Sequence, residues 1–446
     1  MSSGEERVVS APGAGEDASV LPADHPLREE LYGESHARPF PVVSAPVRIS
    51  HLAMLADPGE AAAHRARLEA LAAVHGVAPP PPDTTAWYAA FPGFTVRWER
   101  HTEFCTYTFL RPDDDEEPFA RTAIDVLPQG WLASLPGALL VAVHATVVAG
   151  EAPDPFCPEL QAQFDGKMIV GSRIVDDRAV VWTSLQLHGD GFARYLVCNM
   201  GLNDFQTGRT VQRLLEIETY RILALLGYPE AKRVWPRVRR LDMELAGLID
   251  RLARTDSPAG EQQLLMELSG VSQAIEHMRS DTNYRFSATR AYMAAMNRRL
   301  EDLREHKYPG RSSITKFLER RMRPALDTCD SVDAHLQDLS LRVARATEAL
   351  RARIETSIEE QNRDMLDSLN RRSLQQLRLQ QTVEGLSVAA ISYYLVGLLN
   401  YGLKGLEKAG LALPVEALTA LLIGPVVLGV WWLVRWRRNR INARHS

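Results

Sequence analysis

The stretch that decides the architecture reads GLSVAAISYYLVGLLNYGL over Gly385–Leu403 and, after a short polar link, ALTALLIGPVVLGVWWLV over Ala417–Val434. Neither segment contains Asp, Glu, Lys or Arg. Because a helix rises about 1.5 Å per residue, each segment is long enough to cross roughly 30 Å of hydrocarbon. We therefore predict a two-helix transmembrane hairpin over residues 385–436. The alternative interpretation is a hairpin buried in the core of a soluble protein.

Basic residues flank both outer ends of this predicted hairpin. Arg371, Arg372 and Arg378 precede it, and residues 435–444 contain five arginines. Cytoplasmic flanks of membrane spans are enriched in Lys and Arg, so we expect both ends, including a basic tail over 437–446, to be cytoplasmic. The side chains expected to meet the lipid bilayer are Leu386, Tyr393, Tyr394, Gly397, Tyr401, Trp431, Trp432 and Trp436.

The composition limits the classes of function. A chain of 446 residues has room for two or three domains, and a net charge of -5 with a pI of about 6.2 gives no nucleic-acid-binding signal. The four cysteines lack the spacing of a metal site or of a disulfide framework. Residues 1–23 are rich in Gly, Ala, Ser and Glu, so we expect them to be a disordered tail. The N-terminus carries no secretory signal pattern, so we expect the domain after the tail to be cytosolic.

Residues 24–203 predict a cytosolic α+β domain with a largely antiparallel sheet of five or six strands. Short β-branched and aromatic segments alternate there with turn residues. The predicted elements are a strand at Val47–Leu55, a helix at Ala61–His75, one extended segment at Gly93–Leu110, a strand at Ala138–Val148, a hairpin of Met168–Ile174 with Ala179–Leu187, and a strand at Phe192–Met200.

Residues 204–384 predict a helical bundle and a stalk. The fourth helix of this region begins near Ser313, and we expect Pro324 to interrupt it. From Leu336 to Leu369 the apolar residues recur about every 3.67 positions, which favours a straight or slightly right-handed bundle. The stalk packs either on helices of its own chain or on copies of itself, and the second interpretation predicts a homo-oligomer.

Several motifs resemble one bacterial family. They are His25-Pro-Leu27, Glu34-Ser-His-Ala-Arg-Pro39, Trp98-Glu-Arg-His-Thr-Glu-Phe104, Gly208-Arg209 with Gln212–Arg221, Tyr284-Arg-Phe286, and Gln375–Tyr394. Over about residues 24–436 the chain is similar to the membrane-anchored "domain of unknown function 3422" proteins. The resemblance implies a C-terminal helical hairpin in the bacterial inner membrane and no assigned activity, and it carries over no catalytic residue.

The order of parts also resembles CorA-type magnesium channels, which combine a cytosolic α/β domain, a long stalk helix, two spans and a basic tail. Those channels carry Tyr-Gly-Met-Asn after the first span, whereas this chain has Tyr401-Gly-Leu-Lys404. A lysine at a cation entrance repels the ion, and the asparagine carbonyl is missing. The resemblance therefore favours a membrane-anchored oligomer over a magnesium channel. An ion channel with another selectivity remains an alternative interpretation.

Glu99, His101 and Glu103 are the candidate metal ligands. They alternate along the predicted extended segment, so they are expected to point to one face, where oxygen and imidazole ligands suit a divalent metal. The sequence does not identify a cofactor. If these three residues bind one, it would be a divalent metal ion. The alternative is a polar sheet face opposite Trp98 and Phe104.

The candidate ligand-binding residues are Glu34, His36, Arg38, Arg209 and Arg213. The first three alternate before a proline and either orient a ligand or form salt bridges within the domain. The two arginines share a helix face with Glu216, which is typical of an ion-pair network; left unpaired, they would receive an anion. No phosphate-binding loop, dinucleotide fingerprint or nucleophile elbow is present.

Three functions are consistent with these patterns. The first is a membrane-anchored oligomeric scaffold or sensor without catalytic activity, which the helix content and the lack of a catalytic motif favour. The second is an ion channel or transporter built like CorA. The third is a metal-dependent enzyme centred on Glu99, His101 and Glu103.

Overall fold

The computed structural model describes residues 24–29, 31–32, 40–82, 84–113, 117–255, 257–408 and 414–442. The predicted disordered tail, residues 1–23, lies outside this range. The chain divides by packing into two units. The first contains the described residues up to Gly247 together with Gly270–Val343, and the second contains Leu248–Ser269 and the described residues from Ala344 onward. The domain boundaries that the sequence suggests, at residues 203, 384 and 436, stay predictions.

A nine-stranded sheet is the centre of the first unit, counted over the described residues. Its strands are β1 (Val47–Leu55), β2 (Ala86–Phe91), β3 (Phe94–Arg100), β4 (Phe104–Pro112), β5 (Ala138–Ala149), β6 (Val170–Ile174), β7 (Ala179–Thr183), β8 (Ala193–Asn199) and β9 (His306–Lys307). Their order is β2-β3-β4-β1-β5-β8-β7-β6-β9, with β5 and β8 parallel and the other neighbours antiparallel. The α+β fold with a largely antiparallel sheet is thus confirmed.

Local patterns predicted some elements correctly and one wrongly. Strand β1 has the predicted bounds, and so does the helix Ala61–His75. The segment Gly93–Leu110 is not one strand, because the chain reverses at residues 101–103 and forms the β3–β4 hairpin. Five polar residues, 99–103, stand at this turn, and the apolar alternation shifts by one position between Trp98 and Tyr107, whereas the prediction treated the polar stretch as one face of a continuous strand. The prediction also missed β2, beside a proline-rich loop, and the two-residue β9.

The helices are α1 (Ala61–His75), α2 (Pro158–Gln163), α3 (Asp204–Leu225), α4 (Gly227–Leu252), α5 (Pro258–Asp302), α6 (Ile314–Lys408) and α7 (Val415–Asn442), and short 3₁₀ turns cover Pro58–Glu60 and Leu132–Ser134. A capping box starts α3. The Asn203 side-chain oxygen accepts a hydrogen bond from the Gln206 backbone N–H, and the Gln206 side-chain oxygen accepts one from the Asn203 backbone N–H. This reciprocal pair satisfies two amides at the helix start and places α3 directly after β8.

Helix α6 is continuous over 95 residues and passes through Pro324. The predicted interruption at this proline is therefore wrong. A proline within a helix loses one backbone hydrogen bond and crowds the preceding turn, but packing on both sides can hold the helix together. Met322 and Cys329 are buried on either side of Pro324, and this burial keeps the two segments of α6 in one helix.

The two faces of the sheet carry different helices. On one face, Ile49 and Phe104 belong to a core that includes Leu214 of α3. On the other face, Trp98 and Tyr107 belong to a core that includes Leu71 of α1. Because side chains alternate along a strand, alternate residues of β1, β3 and β4 face α3.

Among the described residues, two helices, α6 and α7, are long and apolar enough to cross a membrane. The apolar windows lie in Ile314–Leu406 and Val415–Trp436, with mean hydropathies of 1.5 and 2.2. Only 6% of each window is buried, so neither is the core helix of a soluble unit. The two helices approach each other where the Thr419 hydroxyl lies 3.5 Å from the Asn400 Oδ1. They therefore form a possible transmembrane hairpin.

Candidate functional site

A layer of polar side chains lies on the α3-facing side of the sheet. Cross-strand register places Arg97 of β3 opposite Thr108 of β4, and Thr108 opposite His51 of β1. In the next row, Glu99 is opposite Thr106. The side chains of all five residues point to the same face of the sheet as the apolar core that packs against α3. Buried polar groups are costly unless they are paired, so this layer marks a candidate site.

A cavity of about 210 Å³ separates these strands from α3. Its polar lining from the sheet comprises His51, Arg97, Glu99, His101, Thr106 and Thr108, and its polar lining from the helices includes Gln212, Glu216, Thr219, Tyr220 and Arg299. Apolar side chains such as Phe104, Leu110 and Leu215 complete the wall. The site therefore combines a nonpolar enclosure with convergent polar groups, which is the usual construction of a small-molecule site.

A chain of hydrogen bonds crosses the cavity wall from sheet to helix. The Arg97 guanidinium donates to Glu99 Oε1 at 2.9 Å and to Gln212 Oε1 at 2.7 Å. Gln212 in turn donates through Nε2 to Glu216 Oε1 at 2.8 Å, and Arg299 of α5 binds the same Glu216 carboxylate. Two guanidinium groups and two carboxylates thus line the cavity, and their charges balance.

His51 is an uncharged hydrogen-bonding group of this wall. Its Nδ1 lies 2.8 Å from the Thr108 hydroxyl and its Nε2 lies 3.1 Å from the Thr219 hydroxyl. Burial, reinforced by the positive charge of Arg97 and by His101, lowers the pKa of His51 to about 3. The imidazole is therefore neutral at pH 7, and it links β4 to α3 through two hydroxyl groups.

The Thr106 hydroxyl is a buried polar group of the described lining that has no hydrogen-bond partner. The residue is 4% exposed, and its Oγ1 has no hydrogen-bond partner. An unsatisfied buried hydroxyl costs about 1–3 kcal/mol. The side chain lines the cavity, so a bound molecule can reach this oxygen.

A glycine allows the segment before β1 to close against α3. A Cβ at Gly208 would lie 1.7 Å from the carbonyl oxygen of Pro41, so only glycine fits there. The Val43 N–H donates to the Asp204 carbonyl at 3.1 Å and holds this segment in place. Phe40 and Pro41 consequently line the cavity.

The predicted metal ligands separate in the structure. Glu99 belongs to β3, while His101 and Glu103 lie in the turn, so the three do not alternate along one strand. His101 stacks on Phe104 with a centroid distance of 4.2 Å, and Glu103 binds Arg285 of α5. Among the described residues no group of three or more His, Cys, Asp and Glu side chains could hold a metal ion. Metal binding therefore stays a prediction without a formed site.

The two candidate arginines lie beside the cavity rather than in its lining. Arg209 lies over the Phe40 ring, with 5.1 Å from its Cζ to the ring centroid. Arg213 donates to the Asp302 carbonyl at 3.1 Å and lies 3.5 Å from its carboxylate. This pairing matches the ion-pair interpretation of Arg213. Glu34, His36 and Arg38 lie outside the described residues.

Sequence reasoning missed a Ser–His–Asp arrangement at the opposite end of the sheet. The Ser184 hydroxyl lies 2.9 Å from His188 Nε2, and His188 Nδ1 lies 2.7 Å from Asp165 Oδ2. These atoms have the order of a serine hydrolase triad. Ser184 is completely buried, however, so a substrate has no access to its hydroxyl. The arrangement therefore stabilises the loop after β7. No local sequence motif predicts it.

The predicted membrane residues lie on the outside of the two terminal helices. Tyr393 and Tyr401 are each 78% exposed and Leu386 is 74% exposed, while Gly397 is half-buried. Tyr394, Trp431, Trp432 and Trp436 are also exposed. Large exposed apolar side chains mark a surface that can meet lipid or another protein.

Fold and surfaces together define the class: an α+β protein with long helices and two terminal helices that could span a membrane. The chain belongs to the family described as "Protein of unknown function (DUF3422)", whose profile matches residues 23–441. The family resemblance is thus confirmed. No curated protein and no solved structure matches the chain, so the similarity to CorA-type channels is not shown.

Proposed function

We propose that this protein is a scaffold or sensor of the bacterial inner membrane that self-associates through α6, with both ends in the cytoplasm. One observation carries the proposal: α6 displays an exposed apolar stripe before the membrane-compatible window begins. The stripe consists of Ile358, Met365, Leu369 and Val383, which are 51%, 63%, 49% and 58% exposed. At about 100° per residue, these four lie within roughly 20° of one direction on the helix.

Lipid is not a suitable cover for this stripe. Residues 355–384 include ten Asp, Glu and Arg residues, too many for a segment inside hydrocarbon. A second copy of the same helix offers the matching apolar surface, and the mean spacing of the stripe, about 3.6 residues per turn, suits straight helices packed side by side. Anchoring in one membrane raises the effective concentration of neighbouring copies, so even a narrow stripe is sufficient for association.

The experiment measures the mass of the full-length protein in nanodiscs and in mild detergent. We expect the wild type to contain two or more copies and the double variant M365D/L369D to be monomeric, because charges in the stripe oppose its burial. The matched control is L374D, since Leu374 is also exposed but lies about 160° from the stripe. A strictly monomeric wild type in both environments, or equal dissociation by L374D, would contradict the proposal.

Membrane topology is tested separately by cysteine labelling of intact spheroplasts. A membrane-impermeant maleimide is expected to label Gly405→Cys at the C-terminal end of α6 and to leave Arg435→Cys unlabelled until the cells are opened. The basic flanks motivate this orientation. Labelling of Arg435→Cys from outside would reverse it.

A further inference from the structure

We propose that the cavity between β1, β3, β4 and α3 binds a small zwitterion of amino-acid size. In this site the guanidinium groups of Arg97 and Arg299 supply donors for the acidic group of the ligand. The carboxylates of Glu99 and Glu216 supply acceptors for its cationic group. The inference concerns a site within the first unit and does not depend on self-association.

The first argument is the cost of building this layer. The side chains of Arg97 and Glu99 are 8% and 14% exposed, on the sheet face that also carries the apolar core against α3. Removing charged groups from water is expensive, and well-packed apolar residues are often as stable or more stable in such positions. A polar layer that surrounds an open cavity therefore points to a ligand rather than to stability.

The second argument is the balance of charge. The cavity wall contains two cationic and two anionic side chains, and each guanidinium is already bound to a carboxylate. A ligand with a single charge would leave one unit of charge uncompensated beside the largely buried Arg97–Glu99 pair, which is unfavourable. A zwitterion can bind between these pairs and keep the site neutral.

The third argument is size. The cavity measures about 210 Å³. An enclosed protein cavity of about 150 Å³ is large enough for benzene, whereas drug-sized ligands occupy about 300–1,000 Å³. A molecule with the size of a free amino acid or a small betaine therefore fits, and a nucleotide does not.

The fourth argument is the Thr106 hydroxyl. Its buried Oγ1 lacks a partner although it lines the cavity. The residue stands opposite Glu99 in the β3–β4 register, beside the ion pair that this carboxylate forms with Arg97. A ligand held by these two charges can supply the missing hydrogen bond.

The test uses the full chain in detergent, with thermal unfolding as a screen and calorimetry for affinity. The panel contains the 20 common amino acids and glycine betaine, with acetate and methylammonium as singly charged halves of the ligand. We expect at least one zwitterion to raise Tm and to bind, while neither half does so. Thr106→Val is expected to weaken binding about tenfold, as one lost hydrogen bond implies, and to leave the unliganded Tm unchanged or higher.

Thr95→Val is the matched control, because Thr95 lies on β3 and does not line the cavity. It is expected to bind like the wild type, and so is the M365D/L369D variant. Three results would overturn the inference: no panel member binds, acetate binds as well as every zwitterion, or Thr106→Val lowers the unliganded Tm without affecting binding. A wild type that is monomeric but still binds a zwitterion would count only against the scaffold.

Discussion

The Glu103 carboxylate in the β3–β4 turn accepts a hydrogen bond of 2.8 Å from the Arg285 guanidinium of α5, although the two residues are 182 positions apart in the chain. The Tyr284 hydroxyl lies 3.3 Å from the same carboxylate. The pair joins two of the segments that carry the family resemblance, Trp98–Phe104 and Tyr284–Phe286. It attaches the turn, which holds one end of the cavity wall, to a helix on the same side of the sheet.

Removal of this ion pair should destabilise the first unit. The two side chains are 25% and 12% exposed, so Arg285→Met leaves a largely buried carboxylate without its cation. We expect a loss of about 1–3 kcal/mol, measured as a lower Tm of the full chain. The matched control is Arg233→Met, which breaks a solvent-exposed pair with Glu230 and should lower Tm far less. Equal effects of the two substitutions would show that Glu103 is not tied to α5.

The buried His144 predicts a loss of stability in acid. Its Nδ1 lies 2.9 Å from the Ser50 hydroxyl, and burial lowers the pKa of His144 to about 4, against the partial opposing effect of Asp190. Because the unfolded chain takes up a proton below about pH 6.5 while the folded one does not, stability falls as the pH falls from there to the folded pKa.

The measurement compares the unfolding free energy of the wild type with that of His144→Gln. The advantage of the wild type should shrink by about 1.4 kcal/mol per pH unit between roughly pH 6 and pH 4. His277→Gln serves as the substitution control, since His277 is on the surface. A constant difference between wild type and His144→Gln over this range would refute a neutral buried imidazole.

Two glycines in helices should respond in opposite directions to alanine. At Gly208 the new Cβ would lie 1.7 Å from the Pro41 carbonyl oxygen, so Gly208→Ala must displace the segment before β1. We expect a loss of about 1–3 kcal/mol, as for other overpacked sites. At Gly270 in α5 a Cβ meets nothing within 4 Å, so Gly270→Ala should stabilise the protein by about 0.5–1 kcal/mol. Thermal unfolding of the two variants distinguishes the effects, and a stabilised Gly208→Ala variant would mean that Pro41 does not approach α3.

Ser184 should not act as a nucleophile. Its hydroxyl is completely buried, and the bond to His188 Nε2 serves the fold. A fluorophosphonate probe is therefore expected to leave the folded protein unlabelled. Ser184→Ala should lower stability by about 1–3 kcal/mol, because it leaves a buried imidazole nitrogen without its partner. Stoichiometric labelling of Ser184 in the folded chain would instead identify a hydrolase.

Local patterns were sufficient for the elements whose signals lie within a few residues. The alternation in Val47–Leu55, the helix of Ala61–His75 with Gly76 after it, and the uninterrupted apolar runs after Gly385 all depend on neighbouring side chains. Such preferences act within one strand or a few helical turns, so they can be recognised without knowledge of the partners. The motifs that carry the family resemblance can likewise be recognised within short stretches of sequence.

Tertiary packing decided the rest. The polar residues from Glu99 to Glu103 resemble a strand in sequence, but the hairpin divides them and sends Glu103 to Arg285. Pro324 remains helical because its neighbours are buried. The cavity exists because strand register aligns Arg97, Thr108 and His51 and because α3 packs over them, and no local signal encodes contacts between residues more than 100 positions apart. The sequence therefore established the class of protein and its membrane-compatible helices, whereas long-range packing created the candidate site.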